Sequence, residues 1–503
     1  MSERVAIYKL KDAAYPKGNC LFAPSETYPE YLFQENISKD CNEVYQGVRD
    51  LFRLLGMDKA RFDTPEWNPF FGKIHPGDTV VLKPNMVQHY SNDGKSGIET
   101  LVTHGSIIRA MLDYVFIAVG KSGKVLVCDS PHGMADFEQI IEFMQLPEMV
   151  QFYAAQGFEL NVFDLRRIKF HSIFGKEVHF YHSMLDGDPN GYVTVALNGA
   201  SFLQNIGIPW ECLTGASLNR SELHKHHSDN LHEYFVSKTV LNADFFISLP
   251  KMKTHKKCGV TLNLKNLVGI NGNKNYLPHF ATYLGEPKTW LQKTFLSIRM
   301  FMSDTLLGTW GKRNLFTAYV CLTVYICYGA LANTFTVFYK GIQFWRDKPS
   351  SPTGTRSNTS DTPENDITWR MVLDLNCILQ YAMKDGRLEK HRQRSFFSII
   401  DGVIAGEKQG PLSPTRKDAG VLIAGDDMPL TDGVATMLMG FDPLKLKLMR
   451  EAIGQREYPL SDYEKYDDVV TVSNCQAYSD IASLKTNNLD FEPPIGWEHI
   501  KLS

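Results

Sequence analysis

Phe245-Phe-Ile-Ser-Leu-Pro-Lys-Met-Lys-Thr-His-Lys-Lys-Cys-Gly-Val-Thr-Leu-Asn-Leu-Lys-Asn-Leu-Val-Gly-Ile-Asn-Gly272 is the stretch from which the fold is read. Phe245 to Leu249 is an apolar run of strand length. Pro250 stops it, because proline has no N–H for a sheet ladder. Lys251, Lys253, His255, Lys256 and Lys257 follow as a cationic loop. The period then changes: Val260, Leu264, Leu267 and Val268 share one helical face, and Gly269 and Gly272 can end that helix. No Asp or Glu occurs between Asp244 and Glu286, whereas six lysines do. A strand that delivers amines and a histidine to a helix start suits an anion.

The same alternation continues on both sides. A strand over Thr79–Leu82 ends in Lys83-Pro84-Asn85. His104 precedes a helix over 106–119. A strand over Lys124–Val127 ends in Asp129-Ser130, and another covers Phe158–Phe163. Residues 166–204 read as a hairpin layer, and Asn230–Leu241 as a helix. Farther on, a helix is expected over Thr368–Ala382. A strand over Ser398–Ile400 ends in Asp401-Gly402, with Glu407 six residues on. Ala419–Ala424 is a strand before Asp426-Asp427, and Thr431-Asp432 open a helix. This alternation predicts an α/β fold: a largely parallel or mixed sheet, helices on both faces, an added β-hairpin layer and a helical insertion.

These motifs, in this order, resemble a known family. Leu-Pro-Lys-Met-Lys-Thr-His (249–255) and Gly-Val-Thr-Leu-Asn-Leu-Lys-Asn-Leu-Val-Gly (259–269) are similar to the signature of the domain of unknown function 362. So are Val-Leu-Lys-Pro-Asn (81–85), Thr103-His104, Asp129-Ser130-Pro131, Ile-Ile-Asp-Gly-Val-Ile-Ala-Gly-Glu (399–407), Gly410-Pro411 and Met-Gly-Phe-Asp-Pro (439–443). The resemblance covers roughly 73–280 and 366–450 and implies that these two parts complete one fold. Some members of that family carry iron–sulfur motifs, from which this chain departs.

Composition sets the remaining limits. The 503 residues carry a net charge of −3, so any electrostatic function is local. Nine cysteines include no Cys-x-x-Cys pair, which leaves no local iron–sulfur or zinc motif. Their irregular spacing fits reduced thiols in the cytoplasm. Met1 to Gly18 lacks the apolar core of a signal peptide. Four histidines between 224 and 232 read as a polar loop. Segments follow in order: an N-terminal extension (1–72), a first α/β part with the Lys/His loop (73–286), an insertion with a flexible linker (287–366), a second α/β part (367–460) and a strand with an extended tail (461–503). Within the insertion, Trp290–Gly308 has a basic amphipathic pattern, 314–339 is uncharged, and 288–340 is the stretch by which the chain would meet a membrane surface. A membrane-interfacial helix, a buried or oligomer-forming helix and a true span all remain open for it.

In an open α/β sheet, ligands bind beyond the carboxyl ends of the parallel strands. Lys83, Asp129, Lys251 with Lys253, Asp401, and Asp426 with Asp427 each follow a short apolar run, so they are expected to converge there. Lys83, Asn85, Lys251, Thr254, Lys265 and Asn266 suit a phosphate or carboxylate. Asp129, Asp401 and Asp432 suit a hard divalent ion such as magnesium. His104, His255, Lys253 and Glu407 are the candidates for proton transfer. The expectation is an enzyme on a small anionic substrate, perched cytoplasmically or on the inner face of a membrane. The alternatives are a redox protein and a non-catalytic membrane-surface partner. Nucleic acid is not expected, since no aromatic platform accompanies the lysines.

Overall fold

The computed structural model describes residues 4–173, 176–215, 220–281 and 365–502, together with isolated positions between 298 and 363. Most of the expected insertion, including most of 314–339, lies outside the described residues.

Ten strands form one sheet. In chain order they are β1 (Arg4–Lys9), β2 (Thr79–Pro84), β3 (Lys124–Asp129), β4 (Glu159–Asp164), β5 (Phe245–Leu249), β6 (Lys251–His255), β7 (Gly259–Thr261), β8 (Ser395–Gln409), β9 (Ser413–Gly425) and β10 (Val470–Ser473). The order across the sheet is β10-β1-β9-β8-β5-β2-β3-β4, with β6 against β8 and β7 against β6. Strands β4, β3, β2, β5 and the first part of β8 run parallel. The mixed edge comes from β9, antiparallel to β8, and β1, antiparallel to β9. The fold is therefore a mixed α/β fold with a mainly parallel central sheet, as expected from the alternation.

Strand side chains alternate between two cores because the pleat sends successive residues to opposite faces. Val81, Leu126, Phe246 and Ile400 pack into one core, and Val80, Leu82, Val125, Phe245, Ile247 and Ile399 into the other. Helices α1 (Glu43–Leu55) and α2 (Gly105–Val119) cover the second face. Helices α3 (Thr368–Tyr381) and α4 (Met428–Leu438) cover the first, joined by a hairpin of Tyr192–Ala196 and Glu233–Ser237. A second hairpin pairs Ile168–Ile173 with Lys176–Met184. Local chemistry sets the helix ends. Asn42 accepts the Tyr45 N–H at 3.0 Å to start α1, and Gly56 ends it at φ 72°, a conformation glycine adopts without strain.

Several local expectations change. The cationic loop 251–255 is a strand, held between β7 and β8. The helix expected from Val260 is a strand followed by a single α-turn, Asn263–Asn266, and a 3-10 turn, Leu267–Ile270. Residues 230–241 are strand Glu233–Ser237 and a short helix Lys238–Asn242 rather than one helix. Asp426 and Asp427 do not line the strand-end cavity described below, because β9 runs antiparallel to β8 and the chain leaves Gly425, paired with Ser398, heading away from the carboxyl ends of the parallel strands. Asp426 meets Lys73, which precedes β2, at 2.8 Å. Among the described residues no helix is long and apolar enough to cross a membrane.

Candidate functional site: a lysine-lined cavity at the strand ends

A cavity of about 490 Å³ opens beyond the carboxyl ends of β2, β3 and β5. Six lysines line it: Lys83, Lys253, Lys256, Lys257, Lys265 and Lys274. Three histidines join them, His132, His255 and His279, and, among the described residues, a single carboxylate, Asp129. Phe170, Phe280, Val268, Leu277 and Leu412 supply apolar wall. The volume suits a small organic ligand.

The floor is built by close backbone approach. At the end of β3, Asp129 accepts the Met86 and Ser130 N–H groups, each at 2.8 Å, and pairs with Lys83 Nζ at 2.7 Å. Lys83 also donates to Asn266 Oδ1 at 3.0 Å, and Asn266 donates back to the Lys83 carbonyl at 2.8 Å. Gly269 makes this possible. A Cβ there would meet Asp129 Oδ1 at 1.7 Å and the Lys83 ammonium at 2.7 Å. Lys274 Nζ donates to the Ser130 carbonyl at 2.8 Å and to its hydroxyl at 3.1 Å. The fully buried Lys253 donates to the Leu101 carbonyl. Lys265 is only partly buried and is held by no hydrogen bond or ion pair among the described residues.

Burial and crowding of like charge weaken these cations. Burial, reinforced by Lys251 and Lys265, pushes the Lys253 amine well below the usual lysine range. Lys274 falls to about 7, through burial that Asp129 only partly offsets. Lys265 falls to about 8, mainly through burial, with Lys257 and Lys83 adding repulsion. Burial and the surrounding lysines also hold His255 and His279 neutral. His255 Nδ1 accepts the Lys257 N–H at 3.0 Å, so its proton sits on Nε2.

Seven of the residues singled out from sequence therefore line this cavity: Lys83, Asn85, Asp129, Lys253, His255, Lys265 and Asn266. The other six lie outside its lining. Lys251 and Asp401 form a wholly buried pair at 2.8 Å, and Asp401 also accepts from Tyr15 Oη at 2.6 Å and the His104 N–H at 2.9 Å. His104 begins α2, its Nδ1 accepting the Ser106 N–H at 3.2 Å, and stacks on Tyr15 at 3.8 Å. Burial lowers its imidazole to about 3. Thr254 donates to the Lys408 carbonyl at 2.8 Å, and Glu407 accepts the Glu492 N–H at 3.0 Å. Asp432, inside α4, accepts the N–H groups of Asn263 and Leu264 at 2.9 and 2.8 Å and so caps the turn before Lys265.

Asp129, Asp401 and Asp432 are each committed to separate donors, and no group of three or more His, Cys, Asp or Glu suited to a metal ion occurs among the described residues. These residues do not fit a shared divalent-ion site. Sequence reasoning placed neither Lys274 nor His279 individually at the site. Lys274 was visible only as one of the six lysines in the acid-free run, five of which reach the cavity.

Comparisons with known proteins bear on the family alone. No curated protein matches the chain. A crystal structure of a protein from Thermotoga maritima aligns over 76% of this chain and 56% of its own, at 10% identity and a TM-score of 0.27, too low to carry an argument. The family model described as "Domain of unknown function (DUF362)" matches residues 192–437, a narrower span than the motifs suggested. That match takes in the strand, lysines and glycine turn that form the cavity's central wall, so this part of the chain is similar to the domain of unknown function 362 family.

Proposed function

We propose that the chain is an enzyme that acts on a small phosphorylated or carboxylated molecule held in this cavity. One observation carries the reading: among the described residues, six lysines and a single carboxylate line one enclosure at the strand ends. A divalent ion enters this reading only with the substrate's own anionic group, since the aspartates are committed elsewhere. Calorimetric titration with sulfate and with phosphate-bearing metabolites tests the site. Lys265→Ala removes the one cavity amine held by no described protein group. Loss of a charge-assisted bond of about 1.5–3 kcal/mol weakens binding about 10- to 150-fold. Equal binding by the native chain and the variant would refute it. The setting proposed is cytoplasmic, with 288–340 as the part that meets a membrane surface. Recovery in the membrane fraction should then be lost when 287–366 is deleted.

A further inference from the structure

The lysines of the cavity differ in what holds them. Lys83 is clamped by Asp129 and Asn266, Lys274 by Ser130, and Lys253 is sealed beneath the Leu101 carbonyl. Lys265 stands apart. It follows the turn capped by Asp432, which fixes its backbone, while its amine lines the cavity without a described protein partner. Its surroundings are other cations and imidazoles rather than carboxylates: Lys257, Lys83, His255 and His279. An amine placed among cations in a shielded pocket is available as a nucleophile at neutral pH.

Resting on the anion-site reading, we propose that Lys265 forms an imine with a small carbonyl compound that also bears a carboxylate or phosphate. The clamped lysines hold the anionic group while the Lys265 nitrogen faces the carbonyl. The nitrogen lone pair attacks the carbonyl carbon and the C=O π pair moves to oxygen. A proton passes from nitrogen to that oxygen, giving a carbinolamine. Water then leaves as the C=N bond forms, so amine and carbonyl become imine and water with no change of oxidation state. Lys274 is the cavity group suited to deliver and accept that proton, and the Nε2–H of the neutral His255 can donate a hydrogen bond only.

The full chain is incubated with glyoxylate, with glycolaldehyde phosphate or with neutral propionaldehyde, then reduced with borohydride and mapped by mass spectrometry. The expected result is a single adduct at Lys265 from the anionic probes, suppressed by excess sulfate and lost in Lys265→Arg. Labelling spread over surface lysines, or equal labelling by propionaldehyde, overturns the proposal. Sulfate binding without any adduct refutes the imine and leaves the anion site standing. Absence of both refutes both readings.

Discussion

The two weakened amines of the cavity make anion binding depend on pH in a defined direction. In the free site Lys274 titrates near about 7 and Lys265 near about 8. A bound anion favours the ammonium form of each, so both values rise on binding and protons are taken up. Affinity is therefore highest below pH 7 and falls as pH rises through 7 and 8. Each amine costs about tenfold per unit above its free value. At pH 9 this amounts to about a hundredfold from Lys274 and about tenfold from Lys265, or about a thousandfold relative to pH 6. At pH 8 about 1.4 protons should be absorbed per anion bound, about 0.9 by Lys274 and about 0.5 by Lys265. Sulfate is the right titrant, because its own charge is constant over this range. Calorimetry in two buffers of different ionisation enthalpy reads the proton uptake directly. Lys274→Met should remove the lower step and Lys265→Met the upper one. Affinity that stays flat from pH 6 to 9, or net proton release, would refute the assignment of these amines to the anion.

Three further perturbations separate the site from its scaffold. Gly269→Ala forces a Cβ into the Lys83 and Asp129 side chains, so sulfate binding should be lost even where circular dichroism shows a folded chain. Lys251→Met strands the buried Asp401 carboxylate and should cost about 3–5 kcal/mol in denaturant unfolding, with Lys251→Met/Asp401→Leu recovering most of it. The Asp432 carboxyl is raised by burial to about 7, so the folded chain retains a proton that the unfolded chain releases above pH 4. Its contribution to stability is complete below about pH 4 and is lost as pH rises to about 7. Asp432→Asn should flatten the melting temperature across that window.

The strands were legible because they are buried on both faces: Phe245–Leu249 is apolar but for Ser248 and sits between two parallel neighbours. The cavity's charge was legible too, since a run of forty-one residues without an acid has to place its lysines somewhere. What the residues could not reveal was direction and register. Asp426 follows an apolar strand just as Asp129 does, yet β9 runs the other way, heading away from the carboxyl ends, and Asp426 pairs with Lys73 instead of lining the cavity. Lys251 and Lys253 should share a face by strand alternation. The register of β6 on β8 shifts between them, so Lys251 turns to Asp401 and Lys253 to the cavity. The carboxylates went unread for a related reason. An aspartate's short side chain satisfies nearby N–H groups, and which group is near depends on tertiary packing. Asp432 caps a turn 168 and 169 residues away in sequence. That distant cap holds the backbone that carries Lys265. The site is thus cationic by exclusion, its aspartates drawn off into caps and pairs, and amines left short of counter-ions are what an anionic ligand would complete.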